Sequence, residues 1–401
     1  MNIRLILLLL CLVFSCDVFP ASKYAIPATD EGLPGAGPIR RYEWFQNLWD
    51  RKRSGWAKLV QQDQGALVFL GDSITQGWGD TMGGSFPGVK VANRGISGDT
   101  TRGVLIRLRE DVLSLNPSGV VLLIGTNDLE EKATPEVIAD NLKLIIAALK
   151  KHSADMPIIL CNVMPSSAAK KRPADQIEKT NQLYFAAVKG DAQVTMLDTW
   201  LLFADDKGDA KKPEFPDLLH PNKTGYAKWA AALRPLLATH GFVETKPDTF
   251  HLEPGYVSLF NGHDLTGWGF RAKKTFKPTS TFDGKKASND ARYVAINGRL
   301  VVTTPPEGRR VQQLWTTREF PENFILKLEF RATPNADSGV FIRKPQLQCR
   351  DYVLAGPWKE LKNYKPQEWN EIVAIVKDGV AHCTCNGEVL NAEFKVPPTG
   401  P

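Results

Sequence analysis

The feature that most constrains how this chain can fold is a set of short runs that are apolar at every position, not at alternate ones. Ala66-Leu67-Val68-Phe69-Leu70, Val120-Val121-Leu122-Leu123-Ile124 and Pro157-Ile158-Ile159-Leu160-Cys161 leave no polar face. Such strands have to be covered on both sides, which is the situation of a parallel sheet packed between helices. Shorter strands are expected at 89–92 and 194–197. Helical patterns fall between the strands, at 102–113, 135–151, 173–189 and 223–237. Pro135 and Pro173 suit first-turn positions, where proline's missing N–H costs nothing. Strand and helix in alternation predict an α/β fold, a three-layer α/β/α sandwich around a parallel sheet, flavodoxin-like in kind. Ahead of it, residues 41–60 carry Tyr42, Phe45, Leu48, Trp49 and Trp56 at near-helical spacing. They read as an amphipathic helix whose aromatics enter the core.

After residue 254 the pattern changes. Residues 241–254 hold two prolines and several charges without a period, and read as a linker. Short strands follow at 257–260, 293–297, 299–303, 324–332, 338–343, 370–377 and 380–386. Asn297-Gly298, Asp378-Gly379 and Asn386-Gly387 mark hairpin turns, because both central residues of such a turn need positive φ. An all-β sandwich is expected here. The domain plan is a signal peptide over 1–22, a Pro/Gly/Ala-rich linker over 23–40, an α/β domain over 41–240, a linker over 241–254 and a β domain over 255–401.

Composition narrows the function classes. A net charge of +6 over 401 residues is small. No dense basic block with interleaved aromatics is present, so nucleic acid is not an expected partner. Lys150-Lys151 and Lys170-Lys171-Arg172 read as solvated helix ends and loops. Arg4 followed by an apolar core over 5–14 resembles an export signal, too short to span a bilayer. No other stretch is long and apolar enough for an integral span. Cleavage near Ala21-Ser22, giving a secreted or periplasmic protein, is favoured over a lipid anchor at Cys16, because Phe14 is bulky for a lipoprotein box. Cys161 reads as a buried strand thiol. Cys383 and Cys385 alternate on a strand and point to one face, and export permits a disulfide from Cys349 to one of them, leaving the other as an odd thiol. The oligomeric state has no signal in the sequence.

The chemistry concentrates in four blocks. Gly71-Asp72-Ser73-Ile74-Thr75 follows the first apolar strand, where a strand-to-helix turn can present a serine hydroxyl. Asn93-Arg94-Gly95-Ile96-Ser97-Gly98-Asp99-Thr100-Thr101 follows the second strand. Gly125-Thr126-Asn127-Asp128 follows the third. Asp217-Leu218-Leu219-His220-Pro221 comes near the end of the region. A serine needs a base to attack at neutral pH, and His220 is the histidine that stands at a block position; His152 and His240 sit at helix ends. Asp217, three residues earlier, is within reach of the imidazole and can stabilise the imidazolium. Asp72 is expected to bond backbone N–H groups of its turn, and Asp99 to cap the helix that opens near Thr101.

In this order the blocks resemble those of the SGNH/GDSL hydrolase family, over residues 41–240. The resemblance implies Ser73, His220 and Asp217 as a catalytic triad. It implies an oxyanion hole from the Ser73 and Gly98 backbone N–H groups and the Asn127 side-chain amide, with no metal or cofactor. Gly98-Asp99-Thr100-Thr101-Arg102 and Gly125-Thr126-Asn127 look most like the platelet-activating-factor-acetylhydrolase-like and carbohydrate acetylesterase branches, which remove short acyl groups.

In the second half, Tyr256-Val257-Ser258-Leu259-Phe260-Asn261-Gly262, Leu265-Thr266-Gly267-Trp268, Ser338-Gly339-Val340-Phe341-Ile342-Arg343 and Glu368-Trp369-Asn370-Glu371 resemble a concanavalin-like domain of the 3-keto-disaccharide hydrolase type. That family continues with a further strand, so the last strand or two is expected to be missing. Concave sandwich faces bind sugars by aromatic stacking and polar groups. Trp268, Trp315, Trp358 and Trp369 are candidates, with Arg331, Arg343, Gln348, Arg350 and Asp351 as polar partners; core packing competes for each tryptophan. Glu329 and Asp351 are candidate acids.

These readings predict an exported serine esterase that removes short acyl groups, acetyl above all, from a poly- or oligosaccharide, with a glycan-binding or glycoside-cleaving β-sandwich. Two alternatives remain at this level: a glycan-binding or 3-keto-glycoside-hydrolysing protein in which the α/β part is secondary, and a lipid or thioester acyl hydrolase. The polar segment 205–216 before the aspartate holds no apolar lid, which favours small acyl groups on a polar carrier.

Overall fold

The computed structural model describes residues 22–243, 252–302, 312–321, 323–332, 336–350, 361–366 and 368–401. The export signal, Cys16, Asp351 and Trp358 lie outside the described residues.

The fully apolar runs form a five-stranded parallel sheet. Its strands are β1 (Leu67–Gly71), β2 (Val91–Gly95), β3 (Gly119–Leu123), β4 (Ile158–Cys161) and β5 (Val194–Leu197), in the order β2-β1-β3-β4-β5. Every residue of β1, β3 and β4 is buried, as two-sided cover requires. The helices are α1 (Glu43–Ala57), α2 (Ser73–Gly77), α3 (Thr101–Asp111), α4 (Thr126–Glu130), α5 (Pro135–His152), α6 (Ala174–Val188), α7 (Thr199–Phe203) and α8 (Lys223–Thr239). Alternate strand side chains feed two cores. One holds Val68, Leu70, Val120 and Leu122, packed against Leu142, Ile145 and Tyr184. The other holds Leu67, Phe69, Val121 and Ile159, packed against Trp229, Leu233 and Leu237.

The chain order reverses across β1, and the C-terminal ends of β1 and β3 lie side by side at that point. Open α/β sheets form their crevice at such a place. The short helix α2 begins there, at the expected strand-to-helix turn, and so does α4, which was not legible because five residues carry too little periodicity.

Several elements differ from expectation by small shifts with clear causes. Strand β2 lies two residues later than expected, carrying the polar Asn93 and Arg94 into buried positions. Pro135 is the first residue of α5, capped by Thr134, whereas Pro173 is itself the residue preceding α6. Phe45, Trp49 and Trp56 of α1 are buried as their spacing predicts. Tyr42, just ahead of the helix, is exposed.

Antiparallel sheets follow. They comprise β6 (Trp268–Arg271), β7 (Pro278–Thr281), β8 (Tyr293–Ile296), β9 (Arg299–Val302), β10 (Leu314–Thr316), β11 (Phe324–Phe330), β12 (Asp337–Phe341), β13 (Gln346–Arg350), β14 (Asn370–Lys377), β15 (Val380–Cys385) and β16 (Glu388–Lys395). Among the described residues the largest antiparallel sheet has the order β11-β14-β15-β16, and a smaller one has β10-β6-β7. The three Asn-Gly and Asp-Gly turns have positive φ at both central residues, so each links its hairpin as expected. Residues 257–260 form no strand.

Strand β14 alternates buried and exposed positions, and Ile372, Ala374 and Val376 pack with Cys383 and Cys385 from the same face of β15. No disulfide joins Cys349 to either: all three are free, buried thiols. Burial pushes Cys349 up to about 12, and Cys383 and Cys385 up to about 11, so they stay protonated in an apolar core.

Candidate active site

Ser73 is the first residue of α2, directly after β1. Asp72 precedes it and accepts a hydrogen bond from the Ile74 N–H at 2.9 Å, as its place in the turn predicts. Complete burial raises the Asp72 carboxyl to about 6 despite that bond. The short helix is fastened from three sides. Asn93 Nδ2 donates to the Thr75 and Gly79 carbonyls, the Ser97 N–H donates to Gln76 Oε1, and the Tyr226 hydroxyl donates to the Ile74 carbonyl. The serine is therefore presented on backbone that has little freedom to retreat.

His220 and Asp217 come from the loop that enters α8. Nε2 of His220 lies 3.0 Å from Ser73 Oγ, and Nδ1 lies 2.8 Å from Asp217 Oδ2. That geometry suits a neutral imidazole with its proton on Nδ1, donating to the carboxylate and accepting the serine O–H. The other carboxylate oxygen accepts the Leu219 and His220 N–H groups at 3.0 and 2.8 Å. Burial alone would raise Asp217, but these hydrogen bonds outweigh it and hold the carboxyl down at about 2. The tight loop requires Leu218 at φ 61, a left-handed conformation that costs a leucine about 1 kcal/mol. Ser166 Oγ donates to the Leu218 carbonyl and helps to hold it.

Gly98 and Asn127 complete one side of the site. Gly98 has φ +87, and a Cβ there would meet the Trp44 ring at 2.7 Å, so both backbone conformation and close approach require glycine. Asn127, in α4, is buried and oriented on two sides. Its Nδ2 donates to the Asp99 carbonyl at 2.9 Å, and its Oδ1 accepts from Arg172 Nη2 at 2.9 Å. This fixes which end of the amide is the donor and leaves one N–H for the cavity. Ser73, Gly98, Asn127 and His220 line one open cavity of about 440 Å³, together with Arg40, Trp44, Ser97, Glu130, Leu219 and residues 169–172.

Asp99 does not cap α3. Thr100 takes that position, its hydroxyl accepting from the Gly103 N–H. Asp99 is fully buried and needs a counter-charge, which Arg107 supplies at 2.7 Å. Burial still raises it to about 6. Arg107 also donates to the Gly71 and Arg94 carbonyls, tying the ends of β1 and β2 together. Asp128 accepts from both the N–H and the hydroxyl of Thr101, and burial raises it to about 7.

Arg172 went unrecognised in the sequence because it closes a basic triplet that looks solvated. It is buried, donating to the Thr126 and Lys170 carbonyls, Asn127 Oδ1 and Glu130. A buried partner for Asn127 cannot be inferred from composition.

Several of the described candidate sugar-binding residues of the second half have packing or hydrogen-bonding partners of their own. Arg343 is 3% exposed and donates to the Pro397 carbonyl. Arg331 donates to the Pro235 carbonyl in α8, and its guanidinium lies 4.8 Å from the Trp369 ring. Trp268 donates its indole N–H to the Leu259 carbonyl, and Trp315 is buried. Gln348 and Arg350 lie in β13, where their backbones pair with Gly339 and Asp337. Glu329 pairs across β11 and β14 with Glu371. Among the described residues no cluster of three or more metal-ligating side chains occurs, and no helix is long and apolar enough to cross a membrane.

The model of the GDSL-like lipase/acylhydrolase family matches residues 69–228. The human platelet-activating factor acetylhydrolase IB subunit alpha2 is 30% identical over 220 residues, covering 53% of this chain and 89% of the relative. The chain belongs to the GDSL-like lipase/acylhydrolase family. As a GDSL acylhydrolase it is a hydrolase acting on ester bonds. An arylesterase of Vibrio mimicus is 31% identical over 112 residues, covering 25% of this chain and 56% of the relative. An acetylxylan esterase of Geobacillus stearothermophilus is 33% identical over 86 residues, covering 16% of this chain and 39% of the relative. Residues 255–400 match the model of a 3-keto-alpha-glucoside-1,2-lyase-like domain.

Proposed function

We propose that this GDSL acylhydrolase is an exported serine esterase that removes short acyl groups, acetyl above all, from carbohydrate, with an α/β domain over 41–240 doing the chemistry. The observation that carries the reading is the continuous chain from Ser73 Oγ through His220 to Asp217, at 3.0 and 2.8 Å. In this mechanism Nε2 takes the serine proton as Oγ attacks the acyl carbon. The tetrahedral oxyanion accepts hydrogen bonds from the Ser73 and Gly98 N–H groups and from Asn127 Nδ2. Its collapse breaks the bond to the sugar oxygen, which takes the proton from Nε2. Water, deprotonated in turn by His220, then cleaves the acyl-enzyme and releases the acid.

Asp217 is held at about 2, so it stays ionised across the neutral range and can stabilise the imidazolium throughout. The open, polar-rimmed cavity and the polar segment 205–216 support a small acyl group on a polar carrier. The acetyl-directed names of two relatives support it as well. A glycan-binding role for the β region, over 255–401, is part of this reading and rests on its family match.

The test is hydrolysis of p-nitrophenyl acetate against p-nitrophenyl octanoate by wild type and Ser73→Ala. Acetate-selective turnover, reduced at least about 1000-fold in the variant, is expected. Equal low rates in wild type and a folded variant would sink the proposal.

A further inference from the structure

The cavity at Ser73 has two features that ester hydrolysis alone does not require. The first is an excess of positive charge. Arg40, Lys170, Lys171 and Arg172 line the cavity, against the single carboxylate of Glu130. Two of the four cations are already matched: Arg40 pairs with Glu130 and Glu131, and Arg172 pairs with Glu130. Lys170 and Lys171 have no carboxylate within ion-pair distance among the described residues.

Lysines on a loop usually serve solubility, but this loop is not loose. The buried Arg172 donates to the Lys170 carbonyl at 2.6 Å and to the Thr126 carbonyl at 3.0 Å, fastening the backbone that carries both lysines to the residue beside Asn127. Lys171 sits at φ 59, a left-handed turn that gives the loop a sharp bend at the cavity.

The second feature is an exposed aromatic face. Trp44 lines the same cavity yet is 52% exposed. Its ring stacks on Tyr42 with 8° between the planes, and Phe45 braces it edge-on at 5.6 Å between ring centroids. Gly98 provides the space into which the Trp44 edge reaches. A tryptophan held this way at the mouth of a polar cavity offers a flat apolar surface to a ring with an apolar face.

We propose that the cavity takes an acylated acidic sugar, a hexuronate, with its ring against Trp44 and its carboxylate, or that of a neighbouring residue, toward Lys170 and Lys171. This rests on the reading of Ser73 as the nucleophile of a carbohydrate esterase and adds the charge class of the carrier. Partly exposed lysines gain a modest amount from each carboxylate, so the preference is one of kcat/KM, and it weakens with salt.

The experiment compares acetate release from an O-acetylated oligogalacturonide with release from the same oligomer after methyl esterification of its carboxyl groups. p-Nitrophenyl acetate is run alongside. Removing the charge is expected to lower kcat/KM about five- to tenfold at low ionic strength, and to lower it by less at about 0.5 M salt. In Lys170→Gln/Lys171→Gln the two oligomers converge to within about twofold, and Trp44→Ala raises KM for both. Equal rates on the two oligomers, or failure of both while p-nitrophenyl acetate is turned over, would overturn the acidic-sugar proposal and leave the esterase standing. Failure of all three substrates would overturn the esterase reading and this inference with it.

Discussion

The α/β part and the antiparallel part of this GDSL acylhydrolase use their polar and aromatic residues differently. In the first, four short blocks spread over about 150 residues of chain arrive at one crevice, where Ser73, Asp217, His220 and Asn127 are each held by hydrogen bonds. In the second, tryptophans and arginines were singled out by residue type, and several of the described ones have packing or hydrogen-bonding partners of their own. Trp268 is bonded to Leu259, Arg343 to Pro397 and Arg331 to α8. A spaced motif records a geometric requirement. A residue type records only what a side chain is able to do. Tryptophan and arginine do as much in packing as in binding.

The comparison is broken most severely at Asn127. Removing one oxyanion donor costs about 100- to 1000-fold in turnover, so Asn127→Ala should lower kcat by that order with a smaller change in KM. Arg172→Ala should lower kcat about tenfold, because the amide loses its fixed orientation. A double-mutant cycle separates positioning from general damage: in the Asn127→Ala background the Arg172 substitution should change kcat by less than about twofold. A full tenfold loss in that background would assign Arg172 a structural role only.

A smaller effect comes from the buried carboxyls of the α/β part. Asp72, Asp99, Asp111 and Asp128, all in the α/β part, have carboxyls raised by burial, whereas Asp264 in the second part is lowered, chiefly by its Thr266 hydrogen bond. A raised carboxyl binds its proton more tightly folded than unfolded. Its contribution to stability is complete below the unfolded value near 4 and is lost as pH rises through the folded value. For Asp128 that window runs from about 4 to about 7. The thermal midpoint of the α/β part should therefore fall by about 3 to 6 °C between pH 5 and 8, and Asp128→Asn should flatten that slope. An unchanged slope in the variant would mean that Asp128 is ionised throughout.

The smallest effect lies at the seam. Arg331→Ala removes the hydrogen bond to the Pro235 carbonyl and the contact with Trp369, and should cost about 1 kcal/mol or less in denaturant unfolding. Turnover of p-nitrophenyl acetate should stay within about twofold of wild type, since the Ser73 cavity has no contribution from this residue.

The parallel sheet was legible because runs such as Val120 to Ile124 admit few other environments, and the hairpins because Asn-Gly pairs relieve a backbone constraint. The convergence of Ser73 with His220 was legible only through block order. What escaped notice was set by tertiary burial. Asp99 looks like a helix cap until its burial calls for Arg107, Arg172 looks solvated, and Tyr42 keeps a helical spacing while standing outside the helix. Strands β6, β7, β10, β13 and β16 went unread since three to eight residues without clean alternation match a loop as well as a strand.

Leu218 has a consequence for how this site can vary. Its left-handed backbone is imposed by the turn that brings Asp217 back to His220, and the cost depends on the side chain attached. In a library randomised at that position and selected for ester hydrolysis, survivors should be rich in Gly, Asn and Asp and poor in Val, Ile and Thr. The sorting would set backbone shape against the packing that the partly buried Leu218 side chain makes with the neighbouring core, on a residue whose side chain takes no part in the chemistry.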